Sequence, residues 1–92
     1  MINDLDIQFQ EAYKIASNMQ GKLPQDIMLK LYAYYKQAMK GDQFSFNANN
    51  NTTTGLRSAF KFNAWVQLKG MSPEDAKKEY INLVNTIIKQ YL

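Results

Sequence analysis

The sequence predicts an all-α protein built from four helices. Three observations indicate this class. Apolar residues recur three or four positions apart in four separate segments. Glycine or proline stands at the breaks between these segments, and no strand pattern rivals the helical ones. No linker or internal repeat divides the 92 residues, so we expect one domain over residues 1–92. Connections of a few residues favour antiparallel neighbours, as in a helix bundle.

The first helix is predicted by an apolar stripe near the amino terminus. Either Asn3 or Asp4 can cap its start, because both side chains accept hydrogen bonds from free backbone N–H groups. Gly21, with Pro24 shortly after it, is expected to end the helix. The stripe consists of Leu5, Phe9, Ala12, Ala16 and Met19.

The second helix is predicted over residues 24–40. Pro24 suits the first turn, Asp26 complements the positive end of the helix dipole, and Gly41 is a natural stop. Its apolar stripe consists of Met28, Leu31, Tyr32, Tyr35, Ala38 and Met39.

A polar segment rich in asparagine and threonine follows, at residues 41–54. These residue types compete with the backbone for hydrogen bonds and support loops. We expect an ordered loop that covers one of its two phenylalanines, Phe44 or Phe46. The third helix is predicted to begin near Thr54 and to end at Gly70.

The fourth helix has the clearest start in the chain. Ser72 can serve as its N-cap, Pro73 as its first residue, and the acidic pair that follows suits the first turn. Lys77 is expected on the solvent face. The apolar stripe consists of Ala76, Tyr80, Leu83, Val84, Ile87, Ile88 and Tyr91.

The composition excludes several kinds of chemistry. Cysteine and histidine are absent, which removes disulfides, thiolate nucleophiles, imidazole bases and the usual zinc ligands. No nucleophile elbow, HExxH pair or phosphate-binding loop occurs, so we expect neither an enzyme nor a cofactor or metal. The net charge of +3 comes from scattered lysines and suits a small anion better than a polyanion. The amino terminus does not resemble a secretory signal, and no apolar run reaches bilayer length, so we expect a cytoplasmic protein.

Two basic and aromatic groups are candidate binding residues. Tyr32, Tyr35 and Lys36 share one helical face, where tyrosine can stack on a base and lysine can hold a phosphate. Lys61 and Trp65 lie one turn apart on the third helix. The residues alone favour a core position for the aromatic rings, with the lysines reaching water. On that basis a module that docks a partner helix ranks first. Nucleic-acid binding by lysines and Arg57, and a membrane-surface helix, remain alternatives.

Two sequence blocks resemble the acyl-CoA-binding protein family. The stretch YAYYKQAMKGD, from Tyr32 to Asp42, is similar to the family signature Y-x-x-Y-K-Q-A-x-x-G-D. The stretch FNAWVQLKGMSPEDAKKEY, from Phe62 to Tyr80, is similar to A-W-x-x-L-K-G-x-S-x-E-D-A-x-x-x-Y. The resemblance covers essentially the whole chain outside residues 43–55. It implies a four-helix up-down-down-up bundle that binds long-chain fatty acyl-CoA without making or breaking a bond.

The resemblance also implies roles for individual residues. The nucleotide and its phosphates would contact Tyr32, Tyr35, Lys36, Lys61 and Tyr80. The acyl chain and pocket wall would involve Phe9, Ala12, Tyr13, Met28 and Leu29. The protein would act as a carrier and pool former, as a monomer that meets acyl-CoA-using enzymes transiently, with no nucleic-acid partner and no stable membrane insertion.

Three departures from the family pattern affect these expectations. Ser17 stands where the family commonly has a lysine, and Ala59 replaces another. Lys14, one turn before Ser17, and Arg57 are therefore candidate phosphate contacts together with Ser17 itself. The loop between the second and third helices is longer than usual and lacks the proline-glycine turn. We expect this edge of the pocket, and the preferred acyl length, to differ from the family pattern.

Overall fold

The computed structural model describes residues 3–44 and 52–91, without the side chains of Gln20, residues 52–57 and Tyr91. The regular elements are α1 (Asp4–Asn18), α2 (Gln25–Lys40), α3 (Thr52–Val66) and α4 (Pro73–Tyr91), with a short 3-10 turn at Gln20–Lys22. All regular elements of the described ranges are thus helical, and the predicted all-α class is confirmed.

The helices pack in a defined order around one core. Helix α4 packs against both α1 and α2, and α2 also packs against α3. The core is therefore formed where the apolar stripes of α1, α2 and α4 meet. Its buried members from these helices are Phe9, Ala12, Ala16, Leu31, Ala38, Ala76, Tyr80, Val84 and Ile87.

The predicted helix starts agree with the hydrogen bonds of the structure. Asn3 is the N-cap of α1, and its Oδ1 accepts a bond from the Asp6 backbone N–H at 2.8 Å. Ser72 precedes α4, and its Oγ accepts from the Asp75 backbone N–H at 3.0 Å. Each of these bonds satisfies a backbone donor in the first helical turn.

Two expectations are corrected. The third helix ends at Val66, four residues before the predicted end, because the backbone then changes to turns such as Lys69 N–H to Val66 O at 3.0 Å. Gly70, with φ 93°, lies beyond this turn. Lys77 is not on a free solvent face: its Nζ lies 2.6 Å from Asp6 Oδ1 and joins α4 to α1.

A buried glutamine connects α2 to α3 and to the segment before α4. The Gln37 side chain is fully buried, and its Nε2 donates to Asp42 Oδ1 at 2.8 Å and to the Met71 carbonyl at 2.7 Å. Its Oε1 accepts from Trp65 Nε1 at 3.0 Å. Asp42 also accepts from the Gly70 N–H at 3.1 Å. These bonds fix the end of α2 relative to α3 and to the segment before α4.

The loop prediction is partly within the described range. Phe44 packs edge-to-face on Trp65, with ring centroids 4.9 Å apart. Residues 45–51, which were expected to cover one phenylalanine, lie outside the described residues. Phe46 lies outside the described residues.

Candidate functional site

A cleft of about 620 Å³ opens between the helices. This volume is within the range of about 300–1,000 Å³ typical of small-molecule sites. Residues from all four helices contribute, and apolar side chains predominate. The lining consists of Tyr13, Ala16, Ser17, Leu23, Gln25, Met28, Leu29, Leu31, Tyr32, Tyr35, Phe60, Lys61 and Tyr80.

Exposed apolar surface is concentrated in this cleft. The described part of the chain has five large apolar side chains that are well exposed, and three of them line the cleft. These are Tyr13, Met28 and Phe60, with 40%, 38% and 48% of their surface accessible. Apolar surface that a fold leaves together and uncovered commonly marks a binding site. The arrangement favours a ligand with a substantial apolar part.

One wall of the cleft is a stack of aromatic rings. The Tyr35 ring lies between Tyr13 and Phe9, with centroid distances of 4.9 Å and 6.0 Å. Phe9 in turn meets Tyr80 edge-to-face at 5.1 Å. Contacts of this kind stabilise ring pairs beyond the area they bury, so the wall is held in place before a ligand arrives.

Two lysines converge on one tyrosine beside the cleft. Lys36 Nζ lies 5.7 Å from the centroids of both the Tyr32 and Trp65 rings, and Lys61 Nζ lies 5.2 Å from the Tyr32 centroid. An aromatic face attracts an ammonium group, which holds each lysine there. Two positive charges at one ring repel each other, and an anion placed between them removes that cost. The pair therefore forms a basic corner at the edge of an apolar cleft.

Burial raises the pKa of two tyrosines of the cleft. Burial, and then the neighbouring Tyr13 and Tyr35, raise the pKa of Tyr80 well above its usual value. Burial also raises the pKa of Tyr32. Tyrosine is a neutral phenol at neutral pH, and the raised pKa extends the range in which these two side chains keep their O–H donor to higher pH.

The structure brings together most of the residues singled out by sequence. Tyr13, Ser17, Met28, Leu29, Tyr32, Tyr35, Lys61 and Tyr80 line the cleft. Lys36 does not line the cleft, but its ammonium lies next to the ring of the lining residue Tyr32. Phe9 and Ala12 lie in the core, 2% and 5% exposed, where they support the lining from behind. Lys14 is exposed outside the lining, and the Arg57 side chain is outside the described residues.

Five lining residues were not predicted. Ala16 and Leu31 belong to predicted apolar stripes, and a stripe does not reveal which of its members border a cavity. Leu23 belongs to no predicted stripe. Gln25 begins α2 and carries no distinctive local signal. Phe60 was detectable: it is a large apolar residue next to the predicted ligand contact Lys61.

No described helix combines the length and apolar character needed to cross a bilayer. Within the same residues, no cluster of three or more acidic, histidine or cysteine side chains is arranged to hold a metal ion.

Comparison with known proteins gives one consistent family. Residues 6–84 match the family model described as "Acyl CoA binding protein". The chain is 41% identical over 86 residues to the acyl-CoA-binding protein of Saccharomyces cerevisiae, covering 90% of this chain and 92% of the relative. It is 38% identical over 86 residues to acyl-CoA-binding protein 2 of Saccharomyces pastorianus, with coverage of 90% and 92%. For the acyl-CoA-binding protein of Dictyostelium discoideum the identity is 35% over 83 residues, with coverage of 90% and 95%. The fold, the cleft and these matches agree, and the chain belongs to the acyl-CoA-binding protein family.

Proposed function

We propose that this chain binds long-chain fatty acyl-CoA thioesters non-covalently and acts as an intracellular carrier and pool former for them. The observation that carries the proposal is the position of the basic corner, formed by Lys36 and Lys61 at Tyr32, directly beside a largely apolar cleft. A ligand that fits both parts has a phosphorylated, aromatic head and a long apolar tail.

The head is assigned to the corner and the tyrosines around it. Lys36 and Lys61 supply ammonium groups for phosphate, and Tyr32 supplies a ring face for the base. Tyr35, whose ring packs between Tyr13 and Phe9, supplies its hydroxyl edge. Tyr80 supplies a neutral O–H donor within the cleft. A charge-assisted hydrogen bond contributes about 1.5–3 kcal/mol, so the loss of one lysine is expected to weaken binding about 10- to 100-fold.

The tail is assigned to the apolar lining. Met28 and Leu29 on α2 and Tyr13 on α1 lie at the surface of the cleft, while Phe9 and Ala12 support it from the core. Burial of each methylene contributes about 0.8 kcal/mol before ordering costs. About ten buried methylenes would therefore contribute roughly 8 kcal/mol, comparable with the gross contribution of the phosphate contacts.

Among the additional phosphate contacts, the geometry favours Ser17. Its side chain lines the cleft, whereas Lys14 lies on the exposed surface outside the lining. We propose Ser17 as the polar contact on α1. Lys14 and Arg57 remain candidate phosphate contacts.

The remaining properties follow from carrier function. We propose that residues 1–92 form a single acyl-CoA-binding domain, that the chain is monomeric and cytoplasmic, and that it makes or breaks no bond and needs no cofactor. Release of the ligand by dissociation requires no second copy, so enzymes that use acyl-CoA would meet the carrier transiently.

Calorimetric titration tests the proposal. Hexadecanoyl-CoA, free CoA and hexadecanoate are titrated separately into the protein. We expect tight binding of the thioester, and much weaker binding of CoA, which lacks the tail, and of the fatty acid, which lacks the head. Equal affinity for all three, or no binding of the thioester, would contradict the proposal.

A matched pair of variants locates the head. Lys36→Ala and Lys78→Ala remove the same charge from the chain, but Lys78 is exposed on α4 and lies outside the cleft lining. We expect Lys36→Ala to weaken hexadecanoyl-CoA binding about 10- to 100-fold and Lys78→Ala to leave it nearly unchanged. An equal effect of both variants would mean that net charge, rather than the corner, attracts the ligand.

A further inference from the structure

A second cleft adjoins the first on the other side of a thin apolar wall. It has a volume of about 540 Å³ and lies between α2 and α3. Leu29 of α2 and Phe60 of α3 line both clefts, and they are the residues that the two linings share. The boundary between the clefts is therefore formed by two side chains.

The wall is not locked into the core. Leu29 is only partly buried, and Phe60 leaves 48% of its surface accessible. Side chains in such positions change rotamer without opening a packed core, because few neighbours hold them. An apolar chain in the first cleft can therefore pass between or beside them.

The lining of the second cleft suits hydrocarbon and not a second head group. Its centre is apolar, with Ala33 buried and Tyr34, Ala64 and Leu68 partly buried. The polar members of the lining are exposed residues at its rim, and the charged ones are a single Asp and a single Lys. One charge of each sign does not select an anion, in contrast to the two lysines of the first cleft.

We propose that the second cleft is a subsite for the distal end of long acyl chains, with Leu29 and Phe60 as the gate that determines acyl length. The inference rests on the proposed acyl-CoA function. The first cleft must hold the start of the acyl chain beside the head, so its volume limits the length that it encloses. Chains that fill it continue past Phe60 into the second cleft, where further methylenes are buried.

This geometry predicts how affinity depends on chain length. Burial of each additional methylene strengthens binding about fourfold. With the first cleft alone, affinity would reach a plateau once that cleft is full. With the second cleft as a continuation, affinity continues to rise from hexadecanoyl-CoA to eicosanoyl-CoA.

The experiment fills the second cleft without touching the first. Ala64→Trp places a large side chain in the second cleft, and Asn85→Trp places the same side chain on an exposed position of α4 that lines neither cleft. Dissociation constants are measured for dodecanoyl-, hexadecanoyl- and eicosanoyl-CoA, below the concentrations at which these ligands self-associate. Circular dichroism verifies that each variant is folded.

We expect Ala64→Trp to weaken eicosanoyl-CoA binding roughly 15- to 60-fold, the value for two or three methylenes that lose their burial. Dodecanoyl-CoA binding should stay unchanged, and Asn85→Trp should resemble the wild type at every length. If a folded Ala64→Trp binds eicosanoyl-CoA as the wild type does, or if two ligands bind per wild-type chain, the inference is wrong. A wild type that binds neither dodecanoyl- nor hexadecanoyl-CoA would instead overturn the proposed function.

A crosslinking measurement on the wild type does not depend on any variant folding. Eicosanoyl-CoA with a photoreactive diazirine at the terminal carbon is bound and irradiated, and the modified residue is located by mass spectrometry. We expect modification at Tyr34, Ala64 or Leu68, in the second cleft. Modification confined to residues of the first cleft, such as Ala16 or Leu23, would overturn the inference.

Discussion

Replacement of the buried glutamine Gln37 should destabilise the fold strongly. Gln37→Ala removes two donated bonds, at 2.8 Å to Asp42 and at 2.7 Å to the Met71 carbonyl, and one accepted bond from Trp65 at 3.0 Å. Trp65 Nε1 keeps a second acceptor, the Gly41 carbonyl at 3.2 Å, and Asp42 still accepts from the backbone. Within the residues that the structure describes, the Met71 carbonyl accepts no other hydrogen bond.

The magnitude follows from these bonds and from the space left behind. Three hydrogen bonds at about 1 kcal/mol each give about 3 kcal/mol. Loss of buried side-chain atoms adds about 1 kcal/mol, because the site relaxes only partly. We therefore expect Gln37→Ala to lower the free energy of unfolding by about 4 kcal/mol. For a domain of this size that corresponds to a fall in Tm of roughly 15–30 °C.

Urea and thermal unfolding, followed by far-ultraviolet circular dichroism, measure this change. Gln37→Met separates the two contributions, because it keeps most of the volume and removes the hydrogen bonds. We expect Gln37→Met to lower the free energy of unfolding by most of the amount expected for Gln37→Ala. Gln8→Ala, at an exposed position of α1, should change the free energy of unfolding by less than about 0.5 kcal/mol. If Gln37→Met is as stable as the wild type, the hydrogen bonds do not stabilise this joint and the reasoning is refuted.

Three further outcomes are expected. Gly41 has φ 59° and ψ −137°, so Gly41→Ala should lower the free energy of unfolding by about 1–3 kcal/mol, as measured by thermal unfolding. The cause is backbone strain, because the new Cβ would make only an ordinary van der Waals contact. Gly21→Ala, with open space and no positive φ, should be neutral or slightly stabilising, and equal effects would contradict the backbone argument. The pKa of Tyr80 is raised in the fold, so above about pH 10 the unfolded chain ionises while the folded chain does not, and stability falls. Tyr80→Phe lacks this loss, so its stability relative to the wild type should rise with pH in that range; parallel pH profiles would contradict this. Lys77→Ala should lower stability by about 1 kcal/mol or less, because its bridge to Asp6 is partly exposed, and acyl-CoA binding should be unaffected when titrated.

Helix starts could be predicted from the sequence because capping is local. The cap and the backbone N–H that it accepts from are three residues apart at both Asn3 and Ser72, so a short window contains the whole interaction. The end of α3 could not be predicted in this way. The sequence predicts a stop at Gly70, but the Gly70 N–H bonds to the carboxylate of Asp42, 28 residues earlier in the chain. Asp42 belongs to another part of the chain, and no local pattern indicates that contact.

The same limit applies to the side of a helix that faces solvent. Helical periodicity placed Lys77 away from the apolar stripe, yet its ammonium meets Asp6, 71 residues away in sequence, because α1 lies along α4. Periodicity also cannot separate the core from the cleft. Phe9 and Tyr13 are one turn apart on α1, but Phe9 is buried whereas Tyr13 lines the cleft. The rotation of α1 against its neighbours makes that difference.

The network that stabilises the fold also positions one of the proposed ligand contacts. Gln37 holds Trp65 through its indole N–H, and the Trp65 ring face lies 5.7 Å from the ammonium of Lys36. Lys36 and Gln37 are neighbours on α2. The Lys36 ammonium lies at the corner beside the cleft, and Gln37 fixes the Trp65 ring that the ammonium contacts. Trp65→Phe would keep an aromatic face and remove the N–H donor. If the ring position depends on that bond, the variant lowers both stability and hexadecanoyl-CoA affinity; if packing alone holds the ring, only stability changes. The comparison distinguishes a lysine that is positioned by the core from one that reaches the ligand independently of it.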